Sequence, residues 1–204
     1  MPDHAFTPRA PFSGLAVTSS AGRGVVATDR DGLGLATVAA RKGQVLALTQ
    51  CVRERFGIVL PGGPYRRAEG GVAFAGTGPE IWLATKEMGG NDFAATLREE
   101  IGAMAAVSDQ SDGYAVLRLT GAKLRDTLAK LVPIDVHSRA FKPGDVASTV
   151  ASHIGATLWR LEDGRDGAPV FEIAVFRSLA GSFWHALSES AAEFGLVVTA
   201  SGPG

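Results

Sequence analysis

The apolar residues of this chain repeat with a constant offset. Each of several apolar positions in the first half has an apolar counterpart 90 residues later. The pairs are Ile81 and Phe171, Leu83 and Ile173, Phe93 and Phe183, and Leu97 and Leu187. In both copies a strand-like run is followed by a polar break and then by apolar residues at helical spacing. The pattern predicts an internal repeat, in which a strand leads to a helix that ends at Gly102 or Gly195.

Each copy extends upstream with another strand and another helix, at residues 34–56 in the first copy and 114–131 in the second. The apolar faces of these helices carry Val45, Leu48, Val52 and Phe56, and Leu124, Leu128 and Leu131. With a last strand at residues 196–199, the predicted fold class is α+β, built from two tandem β-α-β-β-α-β (ferredoxin-like) halves. Helices cover one face of each antiparallel or mixed sheet, so the other faces are expected to cover each other or to meet another chain.

The chain divides into three parts. Residues 1–30 are predicted as an extended N-terminal arm, residues 31–107 as the first half and residues 108–204 as the second half. Prolines at positions 2, 8 and 11 oppose helix formation in the arm. Phe6, Phe12 and Leu15 give the arm apolar surface, so we expect it to lie on a partner subunit and not in the core of this domain. A disordered start is the alternative.

The charge balance and the apolar content narrow the function classes. The chain carries 20 basic and 21 acidic residues, so no basic surface is predicted that could neutralise a row of phosphates, and nucleic acid is not an expected partner. No apolar run approaches the roughly 20 residues that span a bilayer, which argues against a membrane role. The first residues lack a cationic and apolar leader, and the single cysteine, Cys51, fits a reducing compartment, so a cytoplasmic location is expected.

Few side chains have the spacing that a catalytic or ligand-binding site requires. No phosphate-binding loop, nucleophile elbow or metal-binding histidine pair occurs, so no catalytic residue, cofactor or metal is expected on this chain. Asp135 is a weak catalytic candidate, because it follows a predicted helix between two apolar β-branched residues; a turn-capping role is the alternative. Trp184 and His185, adjacent on the last predicted helix, are candidate partner contacts. The sequence therefore predicts a binding or scaffold subunit.

Several segments of the second half have a family resemblance. Residues 111–136, from Ser-Asp-Gly-Tyr-Ala-Val-Leu to Leu-Val-Pro-Ile-Asp-Val, resemble the folate-binding part of the glycine-cleavage aminomethyltransferase superfamily. Within that superfamily, residues 134–141, 150–154 and 176–187 are similar to the gamma subunits of heterotetrameric sarcosine oxidases. The resemblance is specific over residues 108–195 and looser before them.

The resemblance implies a place in a four-subunit oxidase, with alpha, beta and delta subunits as partners. Such a complex demethylates sarcosine to glycine, reduces oxygen to hydrogen peroxide and passes the one-carbon unit to tetrahydrofolate, forming 5,10-methylenetetrahydrofolate. It also implies that FAD, FMN, NAD, tetrahydrofolate and zinc are held by the other subunits, and that this subunit is structural. The alternative is a stand-alone folate-binding or one-carbon transfer protein that uses Asp135, which matches the position of a folate-contacting aspartate in aminomethyltransferases.

Overall fold

The computed structural model describes residues 10–12, 22–90 and 92–199. The strands in these ranges are β1 (Val25–Asp29), β2 (Gly34–Ala40), β3 (Arg66–Glu69), β4 (Val72–Gly78), β5 (Ile81–Lys86), β6 (Ala105–Asp109), β7 (Tyr114–Thr120), β8 (Val146–Ala151), β9 (Ile154–Arg160), β10 (Val170–Phe176) and β11 (Leu196–Thr199). The α-helices are α1 (Val45–Phe56), α2 (Asp92–Ile101), α3 (Leu124–Leu131) and α4 (Ala180–Ala191).

The first half folds into an antiparallel sheet with the strand order β3-β4-β5-β2-β6. Helices α1 and α2 cover one face, because their apolar residues recur every three or four positions and point to one side. Leu48 of α1 and Leu97 of α2 are fully buried in this layer. α1 ends at Gly57, which adopts the left-handed backbone conformation (φ 69°) and donates its N–H to the carbonyl of Arg53.

The second half forms a larger sheet with the order β11-β1-β7-β10-β9-β8, and α3 and α4 cover one of its faces. Alternation along β7 places Leu117 and Leu119 against these helices and Val116 on the other face. Phe171 of β10 and Phe183 of α4, two members of the repeat, are fully buried in this layer. The predicted α+β class and the ferredoxin-like repeat are therefore confirmed.

The faces of the two sheets that lack helices pack against each other. The buried residues of this inter-sheet layer are Leu33, Leu35, Ala75 and Leu83 from the first half and Val116, Val146, Trp159 and Ala174 from the second. The protein is thus built in four layers, helix, sheet, sheet and helix. Each half covers the open face of the other, as the repeat pattern predicts.

The strand β1 corrects the predicted division of the chain. Residues 25–29, assigned to the arm, form a strand between β7 and β11, antiparallel to β7 and parallel to β11. Val25 and Ala27 are fully buried in the core of the second half, so an arm that extends to residue 30 is wrong. The predicted boundary at residues 107 and 108 also cuts through β6, in which Ser108 pairs with Thr37 of β2.

Phe12 also belongs to the core of this chain. It is 5% exposed, and its ring centroid lies 6.0 Å from that of Trp184 on α4. Its backbone N–H donates a hydrogen bond to the carboxylate of Asp29 at the end of β1. The expectation that the arm stays out of the domain core is therefore wrong at Phe12, because the apolar layer beside α4 takes in its side chain. Phe6 and Leu15 lie outside the described residues.

We expect the stability of the protein to depend on pH through Asp29. Burial, with repulsion from Asp31, raises the pKa of Asp29 from 3.8 to about 6, against opposing hydrogen bonds from the backbone of Phe12 and Arg30. A carboxyl whose pKa is raised by folding favours the folded state most below the unfolded pKa, and this contribution is lost as pH rises through 6. Asp29→Asn should therefore raise the unfolding free energy at pH 8 by about 1 kcal/mol, a value reduced for the partial exposure of the group.

Urea denaturation of the parent chain and of Asp29→Asn at pH 4 and pH 8 measures this difference, which should vanish at pH 4. Asp112→Asn is the matched control, because it removes one negative charge from the exposed turn between β6 and β7. If the Asp29→Asn protein is less stable than the parent at pH 8, the ionised carboxylate is a net stabiliser and the expectation is wrong.

Candidate functional site

A network of charged side chains lies between the two sheets, with Glu172 of β10 at its centre. The Glu172 side chain is 4% exposed. Its Oε1 accepts a hydrogen bond from Arg118 Nε at 2.9 Å and lies 2.9 Å from Arg30 Nε. Its Oε2 accepts a hydrogen bond from Trp159 Nε1 at 2.8 Å. The buried carboxylate is therefore held by two guanidinium groups and an indole, which is the pairing that burial of a charge requires.

Glu87, which follows β5, joins the first sheet to this network. Its carboxylate pairs with the guanidinium of Arg30, and one of its oxygens lies 3.7 Å from Nη2 of Arg118. The Glu87 side chain is half exposed, so this pair lies at the border of the layer. Because Glu87 belongs to the first half, whereas Arg118 lies in β7 of the second sheet and Arg30 directly follows β1, the network connects the two halves.

A further arginine, Arg66 of β3, lies close to the same network. Burial lowers the pKa of the Arg66 guanidinium, and the nearby carboxylates of Glu172 and Glu87 oppose this shift. The Arg66 Nε atom is buried and has no hydrogen-bond partner within the described part of the chain. The guanidinium of Arg66 therefore interacts electrostatically with both carboxylates but forms no ion pair with either of them.

Strand register explains how the network forms. Arg118 of β7 lies directly opposite Glu172 of β10, and Trp159 of β9 lies opposite Glu172 on its other side. Alternation along β7 predicts that Arg118 points away from the helices, and the structure shows that this direction leads to the other sheet. Sequence reasoning missed Glu172 as a central residue. A lone acidic residue in an apolar strand was the available signal, but its partners depend on a register that the sequence does not state.

The arrangement holds charge in place. The carboxylate of Glu172 is buried and engaged by Arg118, Arg30 and Trp159, so its charge is balanced inside the layer. Charge-assisted bonds of this kind are about twice as strong as neutral ones and are directional. The network is therefore best described as a connection between the two sheets.

Among the described residues that the sequence singles out, the structure brings Phe12 and Trp184 together in the core of this chain. Asp135 lies in the loop between α3 and β8; it is exposed, and its Oδ1 accepts the backbone N–H of His137 at 2.8 Å. This is the geometry of a turn-capping aspartate, the alternative interpretation of that residue. Trp184 is 5% exposed and faces the core of this chain, whereas its neighbour His185 is exposed on α4. Of this adjacent pair, His185 alone keeps a surface to offer a partner.

An open apolar concavity of about 550 Å³ lies on the inter-sheet face of the second sheet, where the first sheet does not cover it. Tyr114 and Phe176 line it with their rings stacked at 5.0 Å between centroids, beside Val150 and Gly155. Phe176 is 50% and Val150 42% exposed.

Within the described ranges no group of three or more His, Cys, Asp or Glu side chains is placed to hold a metal ion. Of the helices described, none combines the length and the apolar character needed to cross a lipid bilayer.

Solved structures share this architecture. A chain of the heterotetrameric sarcosine oxidase from Corynebacterium sp. U-96, solved in complex with pyrrole 2-carboxylate, is 25% identical to this protein and superposes with a TM-score of 0.75. The match covers 92% of this chain and 96% of that one. The glycine cleavage system aminomethyltransferase T from Bartonella henselae is 14% identical, with a TM-score of 0.62, over 86% of this chain and 47% of the other; this likeness shows the fold alone.

Sequence comparison gives a family assignment that agrees with these structures. No curated protein matches the chain at a significant level. The model of the sarcosine oxidase, gamma subunit family matches residues 41–193, which contain the four α-helices and the strands β3 to β10. The matched residues include the whole inter-sheet network except Arg30. On this match, the chain belongs to the sarcosine oxidase gamma subunit family.

Proposed function

We propose that this chain is the non-catalytic gamma subunit of a heterotetrameric sarcosine oxidase, held together with alpha, beta and delta subunits in the cytoplasm. The observation that carries the proposal is the match to a chain of the Corynebacterium enzyme over nearly the full length of both chains. This match supports the proposal that the two chains occupy the same position in their complexes.

The proposed reaction belongs to the whole complex. Sarcosine, oxygen and tetrahydrofolate become glycine, hydrogen peroxide and 5,10-methylenetetrahydrofolate, so the methyl carbon is oxidised by two electrons and oxygen accepts them. FAD, FMN, NAD, tetrahydrofolate and zinc are assigned to the other subunits.

A structural role fits the distribution of charge and apolar surface. The most buried carboxylate, Glu172, connects the two sheets, and the exposed Asp135 caps a turn. The half-exposed Phe176 and its stacked partner Tyr114 form an apolar surface of the kind that subunit contacts use, with aromatic residues at the centre. Phe176 and His185 are accordingly the side chains we assign to partner contact among the described residues.

Co-expression with the three partner subunits tests the proposal. We expect a tagged copy of this chain to recover all of them and sarcosine-dependent peroxide formation, whereas the chain purified alone with added flavin should form none. Isothermal titration of the isolated chain with tetrahydrofolate should give no heat. Oxidation of sarcosine by the isolated chain, or folate binding that Asp135→Asn abolishes, would contradict the structural role and favour a one-carbon transfer protein.

A further inference from the structure

We propose that Arg66 binds a carboxylate group from outside this chain, at the border of the inter-sheet layer. Three arginines lie in or beside the network around Glu172. Arg30 and Arg118 form ion pairs with its glutamates, whereas Arg66 forms none within the described residues. Where the carboxylate belongs to another subunit, the proposal rests on the proposed function and names the chemistry of one contact. Where it belongs to a small molecule, the proposal is independent of that function.

The position of Arg66 in the first sheet directs it toward the network. β3 lies at the edge of the first sheet, next to β4, and Arg66 lies opposite Ala75, a member of the inter-sheet layer. Directly paired residues point to the same face of a sheet, so the Arg66 side chain projects toward the second half. Its backbone N–H donates to the carbonyl of Gly144 at 2.7 Å, which holds the strand beside the loop before β8.

The charges of the network balance without Arg66. Glu172 and Glu87 carry two negative charges, and Arg30 and Arg118, which contact both of them, carry two positive charges. Arg66 adds a third positive charge with no ion pair inside the described residues. The buried Nε–H of Arg66 has no acceptor in the described residues, and such a donor is costly because it loses its bond to water without a replacement.

Arg160 shows what this chain does with a buried arginine that serves its own fold. Arg160 is 4% exposed, and its Nε, like that of Arg66, is buried without a hydrogen-bond partner in the described residues, but its Nη1 donates to the carbonyl of Phe141 at 3.0 Å and its Nη2 to Asp163 Oδ1 at 2.5 Å. Arg66 has no comparable side-chain bond in the described ranges. The contrast indicates that the acceptor for Arg66 is supplied from elsewhere.

The surroundings select a carboxylate over a more highly charged anion. A guanidinium presents parallel N–H donors that match the two oxygens of a carboxylate. One unpaired positive charge balances one negative charge, and the nearby carboxylates of Glu172 and Glu87 would repel a divalent phosphate. A carboxylate is therefore the ligand that leaves the network neutral.

The first test uses the isolated full chain. Arg66→Met removes the charge and keeps apolar length, and Arg67→Met is the matched control, because Arg67 is an exposed neighbour whose guanidinium lies over the ring of Tyr65. We expect the melting temperature of Arg66→Met to equal or exceed that of Arg67→Met, since no bond inside the chain is lost. A melting temperature several degrees below the control would mean that Arg66 has its partner within the chain, and would overturn the proposal.

The second test identifies the source of the carboxylate. Sodium acetate is exchanged for sodium chloride at equal ionic strength, and a free carboxylate ligand predicts that acetate raises the melting temperature of the parent chain but not of Arg66→Met. A carboxylate from another subunit predicts no acetate effect and at least about a tenfold loss of complex recovered from co-expression for Arg66→Met, with no loss for Arg67→Met. Equal behaviour of the parent and Arg66→Met in both arms overturns the proposal. If the parent chain itself fails to assemble, the proposed function fails, and the acetate arm alone decides the role of Arg66.

Discussion

Replacement of Glu172 by glutamine should lower the free energy of unfolding by about 3 kcal/mol or more, the largest effect that we expect from a single charge-removing change in this chain. The substitution leaves Arg30 and Arg118 without their shared buried carboxylate, and the amide NH₂ of glutamine has to face donors. Glu87 still pairs with both arginines but lies at the border, so it cannot replace a carboxylate between the sheets. Removal of one member of a buried ion pair costs more than the pair contributes, because the partner stays buried and charged.

Urea denaturation at neutral pH measures this effect. Glu162→Gln is the matched control, since it makes the same chemical change at an exposed position just after β9, and it should alter stability by less than about 0.5 kcal/mol. A Glu172→Gln protein as stable as the control would show that the arginines reach water or other acceptors, and that the network does not hold the sheets together.

Replacement of Phe12 by alanine should lower the free energy of unfolding by about 3 kcal/mol. Phe12 is 5% exposed, packs at a tilt of 49° against Trp184 and belongs to the core layer of the second half. Loss of the ring removes buried apolar area and leaves a cavity beside α4. The surrounding side chains can fill this cavity only in part. A free arm resting on a partner predicts the opposite, an isolated chain that does not respond to the substitution.

Phe176→Ala is the control for this change, because Phe176 is 50% exposed and loses mainly its stacking on Tyr114, worth about 1 kcal/mol. Thermal denaturation of the isolated chain separates the two cases. Co-expression adds a second contrast: Phe176→Ala should weaken assembly with little loss of stability, whereas Phe12→Ala should weaken assembly only as far as it unfolds the chain. Equal melting temperatures for the parent and Phe12→Ala would contradict the core position of Phe12 and favour its contact with a partner subunit.

Local pattern accounts for much of the architecture. The constant offset between Phe93 and Phe183, and between Leu97 and Leu187, predicts two similar halves, since a helix must bury one stripe and a strand one face in each copy. These residues are fully or almost fully buried in the helix-covered layers. The same logic predicts that the remaining sheet faces meet, which the inter-sheet layer confirms. Such predictions succeed because they depend on periods of two and of about 3.6 residues within single elements.

Contacts between residues that are distant in sequence determine the features of the fold that local pattern does not predict. Residues 25–29 have strand character, but nothing in their own sequence states that they insert between β7 and β11, which lie far along the chain. Phe12 carries the same ambiguity, because an apolar side chain beside prolines fits a partner surface as well as a core.

The charged network is the clearest case of what tertiary structure alone determines. The sequence by itself predicts that Arg118 lies on the face of its strand turned away from the helices, and it shows Glu172 as a lone acidic residue in an apolar run. Their direct pairing, the reach of Glu87 and Arg30 into the same layer, and the unpaired state of the Arg66 side chain within the described residues follow from strand register and from the docking of two sheets. The physical reason is that electrostatic energy depends on distance between side chains and on their burial, and both quantities exist only after the two halves have packed together.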